Sequence, residues 1–209
     1  MLGLELTATP RTVGAKSVDF KNVIYRYDLG DAMADSFVKE PAVATRKDFD
    51  PKSVNEAELE RIKLEDGIRL HENVKVELDT YARESGRRLV KPFVLVIARD
   101  TTHAAELDAL IKSDAFFDGR YKDRVIQVDS SKTGVEEEAM VERLLRVEKT
   151  DEPTEIVIHV NMLKEGWDVT NLYTIVPLRA ANARTLVEQS IGRGLRLPYG
   201  ERIGLTPVD

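Results

Sequence analysis

The feature that most restricts this chain is an unbroken apolar run, Pro92-Phe93-Val94-Leu95-Val96-Ile97-Ala98. A strand with one wet face alternates apolar and polar residues, so such a run predicts a strand covered on both faces. In a parallel sheet that cover comes from crossover helices. The residues that follow repeat the required unit. Ala104, Leu107, Leu110 and Ile111 mark one face of a helix, and Val125-Ile126-Gln127-Val128 reads as the next strand. Met140, Val141, Leu144 and Leu145 then recur at three- and four-residue spacing in a charged helix. Residues 155–160 and 173–176 are two more strands, and a last helix runs from about 184 to 195. The pattern predicts an α/β fold with a mostly parallel, doubly wound sheet flanked by helices. Its functional loops should lie at the strand carboxyl ends.

Upstream, Val23-Ile24-Tyr25-Arg26-Tyr27 predicts a strand and Asp31-Ala32-Met33 the start of a short helix. From about Asn55 to Arg87 the chain is highly charged, yet Leu59, Ile62, Leu70, Val74, Leu78 and Tyr81 recur at roughly helical spacing. This predicts one long helix, unbroken or interrupted at Gly67, ending near Gly86.

With 209 residues the chain can bury one sizeable core. No apolar run approaches the roughly 18 residues that would cross a bilayer, and Met1 is not followed by a signal-peptide pattern. The absence of cysteine excludes disulfides and thiolate metal sites and fits a cytoplasmic protein. A net charge of −6 argues against wrapping nucleic acid by bulk electrostatics, so any such contact has to be local.

Three short segments carry chemistry. In Leu4-Glu5-Leu6-Thr7-Ala8-Thr9-Pro10 a strand runs into a turn, unremarkable alone. In Met162-Leu163-Lys164-Glu165-Gly166-Trp167-Asp168, Gly166 permits a tight turn that would place Glu165 and Asp168 at a strand's carboxyl end. The alternative there is an exposed acidic loop with Trp167 folded onto the core. In Gln189-Ser190-Ile191-Gly192-Arg193-Gly194-Leu195-Arg196, a helix turning about 100° per residue gathers Gln189, Arg193 and Arg196 on one face. Leu186, Val187, Ile191 and Leu195 lie opposite. Two guanidiniums projecting together suit phosphate, because each carries a permanent charge and a planar two-pronged donor. The alternative is a solvated basic face.

In this order the three segments resemble motifs III, V and VI of superfamily 2 helicases, which close two RecA-like lobes over ATP. The resemblance implies that residues 1–10 end the first lobe, 11–90 connect, and 91–209 form the core of the second. It gives Arg193 and Arg196 arginine-finger roles toward the γ-phosphate. It also gives Gln189, Gly192, Glu165, Gly166, Asp168, Thr7 and Thr9 nucleotide-binding or coupling roles. Arg99, Thr101 and Lys164 become the nucleic-acid contacts. The wider wording of residues 161–169, Ile175-Val176-Pro177-Leu178-Arg179-Ala180, Tyr25-Arg26-Tyr27-Asp28-Leu29 with Asp31-Ala32-Met33, and 189–198 resembles the Res subunit of type III restriction enzymes. That resemblance implies DNA as the track and ATP with Mg2+ as cofactors of the full-length enzyme. Its partners would be a first lobe and a nuclease domain on the same polypeptide, and a modification (methyltransferase) subunit.

None of the twelve glycines is followed by lysine, so the sequence contains no phosphate-binding loop of the Gly-Lys-Ser/Thr type. No nuclease pattern is present either, and His71, His103 and His159 show no metal-ligand spacing. We therefore expect half of an interlobe ATP site, with no nucleotide held by this chain alone. The alternatives are a lobe of another superfamily 2 helicase (repair, type I restriction or RNA-directed) and a non-catalytic nucleotide-binding α/β module.

Overall fold

The computed structural model describes residues 7, 18–128, 133–160, 167–178 and 190–204. Four strands form one all-parallel sheet: β1 (Phe93–Ile97), β2 (Val125–Val128), β3 (Ile156–His159) and β4 (Leu172–Pro177). Their order across the sheet is β2-β3-β1-β4. The apolar run is the central β1, and all five of its residues are buried, as a strand covered on both faces requires.

Among the described residues, three α-helices cover the sheet. On one face lie α2 (Glu56–Ser85) and α3 (Thr101–Lys112), whose Leu64, Ile68, Ala104, Leu107 and Ile111 pack with Val94, Val96, Ile156, Ile158 and Val176. On the other, Met140 and Leu144 of α4 (Val135–Leu145) join Phe93, Leu95, Val157, Trp167, Val169 and Leu172. The layering is the α/β arrangement expected from the β1 run. Leu145 points to solvent, so the buried stripe of α4 is narrower than its apolar spacing implied.

The helix upstream of the sheet is continuous. Asn55 caps its start by accepting from the Glu58 amide at 2.8 Å, and Gly86 ends it at φ 68°, a left-handed angle that suits glycine. Gly67 does not interrupt it. A Cβ there would lie 2.3 Å from Cγ2 of Val176, so the glycine lets α2 press against β4. Overpacking of this kind costs about 1–3 kcal/mol, and the helix propensity gained from alanine returns at most about 1 kcal/mol. Gly67→Ala should therefore lower the urea midpoint. A midpoint at or above wild type would mean that Val176 moves aside freely.

The buried stripe of α2 is also shifted from the expected one. It comprises Leu64, Ile68, His71, Val74 and Leu78, while Leu70 is exposed. Residues 23–27 form no strand; Ile24 and Tyr25 are among the most exposed apolar residues, and no neighbouring strand pairs with them among the described residues. A helix does follow, α1 (Leu29–Ala34), closed by a reciprocal capping box between Asp28 and Asp31.

Candidate functional site

Residues 167–171 lead into the start of β4, and several specific contacts hold them. Trp167 is buried and packs on Phe93, the first residue of β1, with ring centres 5.8 Å apart. Thr170 donates through both its amide (2.6 Å) and its hydroxyl (2.8 Å) to Glu148. Asn171 donates to the backbone carbonyls of Lys91 (2.7 Å) and Val147 (3.2 Å). Asp168 thus lies on the held segment that enters β4. Trp167 takes the core position that the sequence left as an alternative, while Asp168 remains exposed.

The second half of the site is the helical turn 190–194 and the bend after it. The helix ends at residue 194, so Leu195 and Arg196 fall in the turn that follows. Leu195 is buried, as its place opposite the arginines requires. A Cβ on Gly194 would stand 3.3 Å from Ile175 Cδ1 and 3.6 Å from Leu172 Cγ. The close approach at this glycine is therefore to the sheet itself. Gly192, with nothing within 4 Å of a Cβ, faces open space.

The two halves meet. Arg193 Nη1 donates to the Trp167 backbone carbonyl, its guanidinium 6.0 Å from the indole centre. Arg196 Nη1 pairs with Asp168 Oδ1. Residues 26 and 28 positions apart are brought into one cluster. Burial pulls the Arg193 guanidinium below the usual arginine range; the Arg196 charge acts in the same direction and Asp168 opposes it. Two adjacent guanidiniums, one compensated by an exposed carboxylate and one by a carbonyl, offer donors to an anion. They offer nothing to a metal ion.

Over 138 residues, 65% of this chain, the sequence is 28% identical to the Res subunit of the type III restriction-modification enzyme EcoPI of Escherichia phage P1. It is 27% identical over the same length to the EcoP15I Res subunit of Escherichia coli. The chain is similar to type III Res subunits. It spans 14% of the length of each of these relatives. No family model matches it.

Other expected site residues lie elsewhere or outside the described set. Glu165, Gly166, Lys164, Gln189 and Thr9 are outside it, and Thr7 is exposed. Arg99 and Thr101 stand beyond the carboxyl end of β1, at the edge opposite Phe93. Arg99 Nη1 reaches Glu56 and Glu60 of α2, both at 2.8 Å, and His103 stands 3.3 Å from Glu60. Arg99 therefore stands apart from the cluster of Arg193 and Arg196.

Among the described residues, the buried charged groups Glu155 and Lys39 carry no sequence signal. Glu155, at the head of β3, receives His71 Nε2 at 3.1 Å, Lys75 Nζ at 2.8 Å and Arg124 Nη1. Burial works to raise its carboxyl, but the hydrogen bonds from His71 and Lys75 and their charges outweigh it, holding the group down to about 2. His71, Glu72 and Glu155 present ligand atoms within 4.8 Å of one another. Lys75 bridges both carboxylates, and the cluster is closed by the protein's own cations. It ties α2 to the sheet. All three histidines are buried in the described structure, so none is a surface residue. The second group is Lys39, 5% exposed.

Proposed function

We propose that this chain is the second motor lobe of an ATP-dependent DNA translocase of the type III restriction kind. The observation that carries the reading is the joining of Trp167-Asp168 to Arg193 and Arg196 in one cluster on a parallel α/β core. Similarity to two Res subunits supports the same assignment.

In this reading ATP binds between the cluster and an upstream lobe of the same polypeptide. Bound ATP supplies the phosphoryl group to be transferred. The residues of this chain hold and release charge. Asp168 keeps Arg196 oriented, and the Trp167 carbonyl and indole hold Arg193, so both guanidiniums are pre-positioned before nucleotide arrives. The terminal phosphate then competes with Asp168 and the carbonyl for the two forks, and gains most as charge spreads over its oxygens in the transition state. The guanidinium donor set fits phosphate. Mg2+ belongs on the upstream lobe. Arg99 would meet the DNA backbone only by giving up Glu56 and Glu60. With a net charge of −6, the contact is weak and salt-sensitive. A nuclease domain, a modification subunit and a cytoplasmic setting complete the proposal. No helix among the described residues is long and apolar enough to cross a membrane.

The test is steady-state phosphate release, with and without duplex DNA, from this chain and from the longer polypeptide that contains it. DNA-stimulated turnover is expected only in the latter. Robust turnover by this chain alone, abolished by Arg193→Ala, would sink the half-site reading.

A further inference from the structure

Lys39 lies between α1 and α2, far in sequence from the arginine cluster, yet it touches both halves of it. Its backbone amide donates to the Leu195 carbonyl at 2.7 Å, inside the turn that separates Arg193 from Arg196. Its Nζ donates at 2.8 Å to the carbonyl of Leu172, where the segment carrying Trp167 and Asp168 enters β4. The ammonium also stands 3.7 Å from the centre of the Tyr173 ring. Among the described residues no carboxylate pairs with it. The neighbouring Val38 carbonyl accepts from Arg202 Nε at 2.9 Å, so residues 38 and 39 hold the chain on the far side of the turn as well.

A lysine at this depth is costly. The ammonium has three donors and here meets one carbonyl and one ring face. Burial alone pulls it down to about 7. A methionine would fill the same volume without that penalty, so a purely packing role does not account for lysine here. What the lysine side chain adds is the bond to Leu172, which joins that segment to the one its backbone amide already holds at Leu195. Leu172 already touches Gly194 through its side chain, and Lys39 bonds the backbone on both sides of that contact.

We propose that Lys39 is a positioning residue that fixes the Arg193–Arg196 turn against the Trp167–Asp168 segment. This rests on the motor reading above. Lys39 does not reach the phosphate; it acts through the spacing of the two segments, where displacement by about 1 Å is enough to slow a reaction a hundredfold.

The experiment compares wild type, Lys39→Met, Lys39→Gln and Arg193→Ala in the longer polypeptide. DNA-stimulated ATP hydrolysis and the emission of Trp167, the one tryptophan in this 209-residue chain, are recorded. Lys39→Met should lower kcat about tenfold with KM for ATP within about twofold. In this chain by itself the same substitution should shift Trp167 emission, because the indole's guanidinium neighbour moves. Lys39→Gln keeps a donor for Leu172 and should recover part of kcat; it also serves as the working variant if Lys39→Met fails to fold. Unchanged kcat and emission in Lys39→Met, or in Lys39→Gln where Lys39→Met does not fold, beside a slow Arg193→Ala, would overturn the role of Lys39 and leave the motor reading standing. Normal hydrolysis in Arg193→Ala would instead remove the motor reading itself.

Discussion

Arg193→Ala and Arg196→Ala are each expected to cut DNA-stimulated ATP hydrolysis of the longer polypeptide by at least about a hundredfold, a typical loss for a group that stabilises transferring phosphoryl charge. The fall should lie in kcat more than in KM, because the guanidiniums act on charge that develops after binding. Lysine should restore little, since an ammonium cannot reproduce a planar two-pronged contact. The folded state predicts different side costs for the two. Arg196 and Asp168 are both well exposed, and such a pair contributes at most about 1 kcal/mol. Arg193 is half-buried and satisfies the Trp167 carbonyl, so its removal should cost about 1 kcal/mol, with a visible change in Trp167 emission. Thermal melts beside the kinetics separate the effects. An unfolded Arg193→Ala, or one with normal turnover, would return these arginines to a structural role.

The second large effect concerns Glu155. Its side chain is 7% exposed and faces His71, Lys75 and Arg124. Removing one member of a buried ionic cluster leaves the others without a counter-charge, which costs about 3–5 kcal/mol. Glu155→Ala should fall near the lower figure, because the partly exposed Lys75 and Arg124 can turn toward water. The same carboxylate predicts a pH dependence. Its group is held at about 2, below the ordinary 4.5, so the unfolded chain binds more protons between those values. Stability from Glu155 is then complete above about pH 4.5 and is lost as pH falls toward 2. Glu72 and Glu152 are lowered in the same direction, so Glu155→Gln should flatten the acid limb of the urea midpoint without abolishing it. Parallel acid limbs in the two proteins would show that this carboxylate is not held as described.

The residues that sequence reading found and missed divide along a physical line. Unbroken apolarity at 93–97 demands two covered faces wherever the strand ends up, and β1 is buried throughout. Capping chemistry is equally local: Asn55 and Gly86 bound α2 where they stand. Helical spacing within α2, by contrast, left its buried face open. The choice of Leu64, Ile68 and His71 over Leu70 depends on where β1 and β4 lie against it. Gly67 signals a break by its own propensity and becomes a contact only because Val176, over a hundred residues away, presses on it.

The candidate site follows the same division. The order of Glu-Gly-Trp-Asp and Gln-x-x-Gly-Arg-x-x-Arg was legible in the chain, as was an α/β core to carry them, because strand and helix periods are properties of consecutive residues. That Arg196 meets Asp168, that Arg193 rests on the Trp167 carbonyl, and that Lys39 bonds the backbone on both sides were decided by the tertiary structure alone. So was the tying of Glu155 to α2. A buried charge is viable only with partners, and those partners come from distant parts of the chain, so no local pattern announces them.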